Sequence, residues 1–464
     1  MTQSTLLEVF QSRLKGASFP CLVQHSYEEE TILSAASLWS SALTRRHVMR
    51  SQGMKPGDIW VQEKGGLEAF IHFFACLQGG FIFCPLSLRD HGQTSSVTRG
   101  LWKEGCDGQL VRSEALLAPE LAGTLSFALL LHTSGTTRGQ PRCVRLNDEG
   151  IRHQLKTHAE VMGIEAETKR WLQLPWFHSF GLILDGLLGL YAGQHLYMIT
   201  EPALHPRAMF NRLHHYEIEW LAAVPRSLQL LLQYAETHPE VLPVLKKLHV
   251  HSGGAYLTEA KRQQLTQLLA SFHWGYGLTE CGPGVLMNGR PVGCEVRIMP
   301  HPSHGWQELW VRSPSVGQWS GQSESISEGW IPTGDLAFED ASGSFDVIGR
   351  TQDCFKNSSG QWIHLREIEQ SLEQTLPLMG VHVSLQGDAS QFIARIVTND
   401  RASDLPVGLL QKLEKLLPLP FQIWIGQPSE ALLQSLQNIP QKSLNEAIGR
   451  LPPEAFLVIH RAAA

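Results

Sequence analysis

Phe127-Ala128-Leu129-Leu130-Leu131 and, one residue further on, Thr133-Ser134-Gly135-Thr136-Thr137-Arg138-Gly139-Gln140-Pro141-Arg142 carry the reading of this chain. The first run is apolar and of strand length. The second is a loop with four hydroxyls (Thr133, Ser134, Thr136, Thr137) and two glycines. Hydroxyls and free backbone N–H groups wrap an oxyanion, and glycine lets the backbone approach it closely. Arg142 adds a fixed positive charge suited to phosphate. The loop is not a Walker motif, because no G-x-x-x-x-G-K-[ST] is present. A polar surface loop is the plainer alternative on this stretch alone.

Outward from that loop, strand and helix patterns alternate. Residues 1–60 read as helical, with a turn at Gln52-Gly53-Met54-Lys55-Pro56-Gly57-Asp58 leading into the strand Ile59-Trp60-Val61. Leu67 to Leu77 reads as an apolar helix, and Phe81-Ile82-Phe83-Cys84 as a buried strand ended by Pro85. His195–Ile199, Trp220–Val224 and Leu248–His251 are further strands; Pro225 stops the second, and a striped helix follows from Arg226 to Ala235. This alternation predicts an α/β fold with a parallel sheet covered by helices. After about residue 290, short runs such as Glu308-Leu309-Trp310-Val311 predict a small β-rich subdomain. Beyond 351 the pattern is mixed, and Leu365, Ile368, Leu372 and Leu376 predict an amphipathic helix over Arg366–Leu376.

The chain has 464 residues, 43% hydrophobic and 18% charged, with a net charge of -6. This describes a globular protein too long for one ordinary core. The mild acidity argues against a dedicated binder of nucleic acid or anionic membrane. No stretch reaches a membrane-spanning length, and the start lacks a signal-peptide pattern. The eight cysteines are scattered without a C-x-x-C pair, which predicts reduced thiols, no structural zinc and a cytoplasmic location. Two histidine pairs, His214-His215 and His249-x-His251, are possible metal ligands without further ligand spacing.

The phosphate-type loop, taken with four further segments, resembles the adenylate-forming (AMP-binding) enzymes: acyl- and aryl-CoA synthetases, peptide-synthetase adenylation domains and luciferase. Their loop reads T-S-G-[ST]-T-G-x-P-K-G. Thr133, Ser134, Gly135, Thr136 and Thr137 match; Arg138 is an apparent insertion, Arg142 replaces Lys and Cys143 replaces Gly. Gly275-Tyr276-Gly277-Leu278-Thr279-Glu280 matches Y-G-x-T-E, so the resemblance implies Tyr276 beside adenine, Thr279 on the α-phosphate and Glu280 on magnesium. Ser252-Gly253-Gly254-Ala255 resembles the stretch bordering adenine, with Tyr256 in place of a Pro. Thr333-Gly334-Asp335-Leu336 and Gly349-Arg350 match T-G-D-L and G-R, implying Asp335 on the ribose hydroxyls and Arg350 on the nucleotide. Pro175-Trp176-Phe177-His178-Ser179-Phe180-Gly181 matches P-x-x-H-x-x-G, whose side chains edge the carboxylate pocket.

The resemblance implies more in the last quarter of the chain. Gln352 stands at the interdomain hinge, Lys356 and Gly360 lie on the loop lining the thiol tunnel, and Lys442 is the counterpart of the catalytic lysine, although its P-x-x-G-K motif is blurred to Pro440-Gln441-Lys442. The implied fold is a large multi-sheet N-terminal domain over 1–350, its β-rich subdomain at about 290–350, and a small mobile α+β lid over 351–464. The implied reaction uses ATP and Mg2+ to adenylate a carboxylic acid, then forms a thioester on coenzyme A or a phosphopantetheinyl carrier protein. The amino-acid-activating relatives' F-D is missing, and Asp185, seven residues beyond His178, is a poor substitute; the acid expected is aryl or fatty, without an α-amino group. The compact length favours a separate carrier protein over a fused one. Two rival readings are a degenerate nucleotide-binding member of the fold without ligase activity and, more distantly, a zinc hydrolase built on the histidines.

Overall fold

The computed structural model describes residues 4–25, 30–86, 101–104, 110–113, 127–133, 143–199, 205–300, 307–319, 329–351, 354–356, 362–365, 368, 382–387, 392–397, 421–426 and 457–461. The chain divides into two compact units. The first comprises Met1–Gly253, Leu257–Val296 and Val311–Ile331, and the second Gly254–Tyr256, Arg297–Trp310 and Pro332–Ala464. Part of the stretch expected to be one β-rich subdomain thus groups with each unit.

Two large sheets build the first unit. The seven-stranded one holds Cys143–Asn147, Ala128–His132, Ile82–Pro85 and Ile59–Gln62 at its centre. Ile59–Gln62 and Ile82–Pro85 pair in parallel, and so do Ile82–Pro85 and Ala128–His132. These strands are short and mostly apolar, as strands buried on both faces are. The nine-stranded sheet has a parallel core in the order Ser271–Tyr276, His249–Ser252, Trp220–Ala223, Lys169–Leu172, His195–Ile199 and Pro20–His25. The helix Leu67–Gly79 is buried on nearly all sides, and Phe73 meets Phe74, Phe83 and Phe127 edge to face at 5.1–5.6 Å. Edge-to-face pairs add about 0.5–1.5 kcal/mol each beyond their burial.

The predicted strands at 59–61, 81–84, 127–131, 195–199, 220–224, 248–251 and 308–311 all form, within a residue or two at each end. One expectation is corrected. Residues 1–60 are not helical throughout: helices Leu6–Leu14 and Ala35–Ser51 flank the antiparallel strands Pro20–His25 and Glu30–Ser34. The helix expected after Pro225 forms as Pro225–Thr237, with Pro225 as its first residue, where its missing N–H costs nothing.

In the second unit, Ile331–Glu339 and Phe345–Arg350 form an antiparallel hairpin within a four-stranded sheet. A further four-stranded sheet runs His382–Gly387, Phe392–Val397, Phe421–Gly426, Leu457–Arg461. Of the predicted helix Arg366–Leu376, Ile368 is helical, as is Leu365 just before it, and the rest lies outside the described residues. The mixed α/β architecture with several sheets is the one expected. Among the described residues no helix is long and apolar enough to cross a membrane.

Candidate active site

The turn that bears Thr279 and Glu280 begins where the strand Ser271–Tyr276 ends. Gly277 follows, and no side chain fits there, because a Cβ would overlap the Pro283 carbonyl. The chain then makes a single 3-10 turn, Thr279–Cys281, closed by Gly282 at φ +67°. Tyr276 is fixed by antiparallel pairing with Leu286. The Glu280 carbonyl accepts from Gly317 N–H at 2.9 Å, which holds the turn from outside. Glu280 is half-buried, and its carboxylate and the neighbouring hydroxyls are hard oxygen donors of the kind magnesium prefers.

The second sequence-predicted segment reaches this turn. Ser179 Oγ and the Thr279 hydroxyl share a hydrogen bond of 3.1 Å across 100 residues of chain. Ser179 is positioned by a tight approach: the chain packs at Gly181 so closely on the Pro175 carbonyl that no Cβ fits. From Phe180 to Leu187 the helix is π-wound, a form that concentrates at functional sites. Phe180 presents its ring to the edge of His251 at 4.9 Å, and a Cβ on Gly253 would lie 3.5 Å from the same ring. The His178 ring leans on Phe177 at 4.7 Å.

Asp185 is committed elsewhere. It is 1% exposed and pairs with the fully buried Arg170 at 3.1 Å. Arg170 also donates to Gln194 Oε1 at 2.6 Å and lies over the Trp220 ring at 5.2 Å. Burial pushes the Asp185 carboxyl up to about 7, against the pull of Arg170. A carboxylate held in this way is not available to a substrate amine.

In the second unit, Asp335 and Arg350 are Cα partners across the hairpin. Arg350 Nε meets Asp335 Oδ1 at 2.8 Å, and its Nη1 donates to the Thr333 carbonyl at 3.2 Å. The Thr333 hydroxyl donates to the Leu309 carbonyl at 2.8 Å and accepts the Asp335 N–H at 3.1 Å. Gly334, at φ +72°, donates its N–H to Glu308 Oε1 at 2.9 Å. The T-G-D stretch is therefore locked in place, with Asp335 4% exposed. Gly254, just before Ala255, also takes a left-handed backbone, φ +84°.

Thr133 directly follows the strand Ala128–His132. Ser134, Gly135, Thr136, Thr137, Arg142, Gln352, Gly360 and Lys442 lie outside the described residues. Lys356 ends a strand, Cys354–Lys356, paired with Trp362–His364. The histidines do not assemble a metal centre: among the described residues no group of three or more His, Cys, Asp or Glu could hold an ion. His249 instead bonds Ser271 at 2.9 Å and stacks on Trp220 at 4.8 Å.

Sequence reasoning missed Gln154, which is fully buried in the helix Asp148–Met162 and bonded to the Gly284 backbone. A signal was present: Ile151, Leu155, His158 and Met162 mark the buried face, and Gln154 interrupts it with a polar group.

The family model for the AMP-binding enzyme matches residues 99–319. A feruloyl-CoA synthase from an Amycolatopsis species is 26% identical over 391 residues, covering 74% of this chain and 78% of that protein. A long-chain-fatty-acid–CoA ligase of Yersinia pestis is 28% identical over 332 residues, 64% of this chain and 57% of its own. In fold, the chain matches O-succinylbenzoate coenzyme A synthetase from Bacillus subtilis in complex with AMP, at TM-score 0.71 and 18% identity over 89% of this chain and 94% of that one. Residues 99–319 are thus similar to the AMP-binding enzymes, and the fold is the one this solved structure shares.

Proposed function

We propose that the chain is an AMP-forming acid–thiol ligase acting on an aryl or fatty acid without an α-amino group. The observation that supports this most is the 3.1 Å contact of Ser179 with Thr279, which joins the acid-pocket segment to the α-phosphate turn. In the first step a carboxylate oxygen attacks the α-phosphorus of ATP and pyrophosphate leaves. In the second a thiol sulfur attacks the acyl carbonyl, AMP leaves with the bonding pair, and the thiol proton passes to solvent.

Thr279 donates to the α-phosphate, Tyr276 and the Gly254-Ala255 stretch border adenine, and Asp335, oriented by Arg350, takes the ribose hydroxyls. Thr133–Thr137 and Arg142 embrace the outer phosphates. Glu280 holds magnesium, which offsets phosphate charge when bound. Lys442 bridges the attacking carboxylate and the phosphate, lowering their repulsion. The lid over 351–464 turns about Gln352 to bring Lys356 and Gly360 to the thiol. The Arg170 pair that occupies Asp185 supports an acid without an amine.

Of the two expected acceptors, coenzyme A or a carrier protein, the coenzyme A ligases among the relatives support coenzyme A. The scattered thiols support a cytoplasmic setting. The test is pyrophosphate release against a panel of aryl, fatty and amino acids, followed by thioester formation with coenzyme A and with a loaded carrier protein. Turnover with an aryl or fatty acid is expected. ATP binding without turnover on any acid favours the degenerate reading. Lys442→Ala should abolish pyrophosphate release while sparing thioester formation from preformed adenylate. Unchanged release removes Lys442 from the mechanism.

A further inference from the structure

We propose that Gln154 is a positioning residue that sets the Thr279–Glu280 turn for ATP and its metal, an inference that rests on the function proposed above. The helix that carries it, Asp148–Met162, starts directly after the strand Cys143–Asn147. Asn147 caps it, its side-chain oxygen accepting from Gly150 N–H at 2.8 Å. That strand pairs antiparallel with Ala128–His132, so the second of the two strands bracketing the hydroxyl-rich loop leads into this helix.

Gln154 spends both ends of its amide on the segment after Glu280. Its Nε2 donates to the Gly284 carbonyl at 2.9 Å, and its Oε1 accepts from Gly284 N–H at 3.0 Å. The pair copies the hydrogen bonding of a β-ladder with a side chain. One turn on, His158 lies so close that a Cβ on Gly284 would overlap its Nε2. Gly284 is thus pinned from two successive helical turns.

A second arm comes from the same helix. The Ser315 hydroxyl donates to the Gly150 carbonyl at 3.0 Å. Two residues later Gly317 N–H holds the Glu280 carbonyl at 2.9 Å. Between the arms sits Gly282, whose Cβ position is only 2.9 Å from the Ser315 carbonyl. The turn is therefore braced on both flanks by one helix, with Gln154 as the buried anchor of the arm that holds its C-terminal side at Gly284. A fully buried amide with both ends satisfied is rigid, and losing its partner strands a donor and an acceptor. Hard-ion binding and in-line attack depend on sub-ångström placement, and a misplacement of about 1 Å costs on the order of a hundredfold.

Two substitutions separate positioning from mere packing. Gln154→Met keeps the length and removes both hydrogen bonds. It should raise the KM for MgATP by about tenfold or more and lower kcat, with the KM for the acid within about twofold. Gln154→Glu can still accept from Gly284 N–H but donates to the Gly284 carbonyl only when protonated. Its activity should rise as pH falls and collapse as pH rises, a profile the native enzyme lacks. Amide hydrogen exchange at 281–284 should speed up in Gln154→Met. The proposal is overturned if Gln154→Met lowers Tm while leaving the KM for MgATP unchanged, if Gln154→Glu follows the native pH profile, or if exchange at 281–284 is unaltered. Should the native chain release no pyrophosphate with any acid, the ligase reading fails by itself. Gln154 is then judged by calorimetric MgATP binding and exchange, and equal affinity in Gln154→Met overturns it.

Discussion

Single atoms decide the nucleotide turn. Gly277 is exposed, so solvent places no limit on its side chain, yet the Pro283 carbonyl occupies the position a Cβ would take. The obstacle is backbone, which cannot swing aside as a flexible side chain can. Gly277→Ala must push the chain apart between Tyr276 and Thr279, on one side, and Pro283, on the other. The expected result is a loss of about a hundredfold or more in pyrophosphate release, with far-ultraviolet circular dichroism preserved. Near-native release from that variant would mean the turn adjusts freely. The same scale explains what the sequence allowed. Y-G-x-T-E and T-G-D-L were legible because backbone constraints at Gly277 and Gly334 demand particular residues at fixed spacing. The Ser179–Thr279 contact was not, since nothing local links positions so far apart in the chain.

At the level of elements, the π-wound Phe180–Leu187 stretch connects the Pro175–Ser179 segment to the buried Arg170–Asp185 ion pair. Arg170 is fully buried, so its charge must be answered inside the protein. Asp185→Asn keeps the shape but leaves a guanidinium with only Gln194 and the Trp220 face. It should cost about 3–5 kcal/mol, read as a lower urea midpoint. Replacing both partners with apolar residues of similar volume, Arg170→Met with Asp185→Leu, should cost clearly less, and an equal cost would assign the effect to shape. Elements with short apolar runs were readable in the sequence; the π-winding was not, because its apolar composition fits an ordinary helix equally well. Residues 15–34 were misread for another reason: Val23 finds its partner, Tyr197, far along the chain, and that non-local pairing overrides local helical preference. Gln154 announced itself only as a polar interruption of an apolar face, a pattern that becomes meaningful once Gly284 is seen beneath it.

Across the described residues, three histidines lie in the core where burial disfavours their charged form. His72, His158 and His251 are each 1–2% exposed. Burial lowers His72 to about 3 and His158 to about 4, and lowers His251 well below its ordinary range, with His158 and Arg170 adding to the effect. In the unfolded chain each titrates near 6.5. Below about pH 6.5 the unfolded chain therefore binds more protons than the fold at these sites, and on their account stability climbs with pH. Asp185 works the other way. With its folded value near 7 and its unfolded value near 4, the fold holds one extra proton between them, so stability falls with pH on its account. Glu217 and Glu295 are depressed by Lys169 and Arg312, and their contribution is confined to pH below the ordinary carboxylate value. His195, His249 and His273 are lowered by burial too and Asp148 is raised, so lowered imidazoles outnumber raised carboxyls and the net stability rises with pH below the ordinary histidine value. Urea unfolding midpoints should rise steeply from about pH 4.5 to 6.5 and level off above 7. His158→Gln should make that rise shallower, because one of the imidazoles that gains a proton only on unfolding goes with it. A midpoint indifferent to pH across the window would mean that these imidazoles carry their protons inside the fold, and the uncharged core argued from their burial would have to be abandoned.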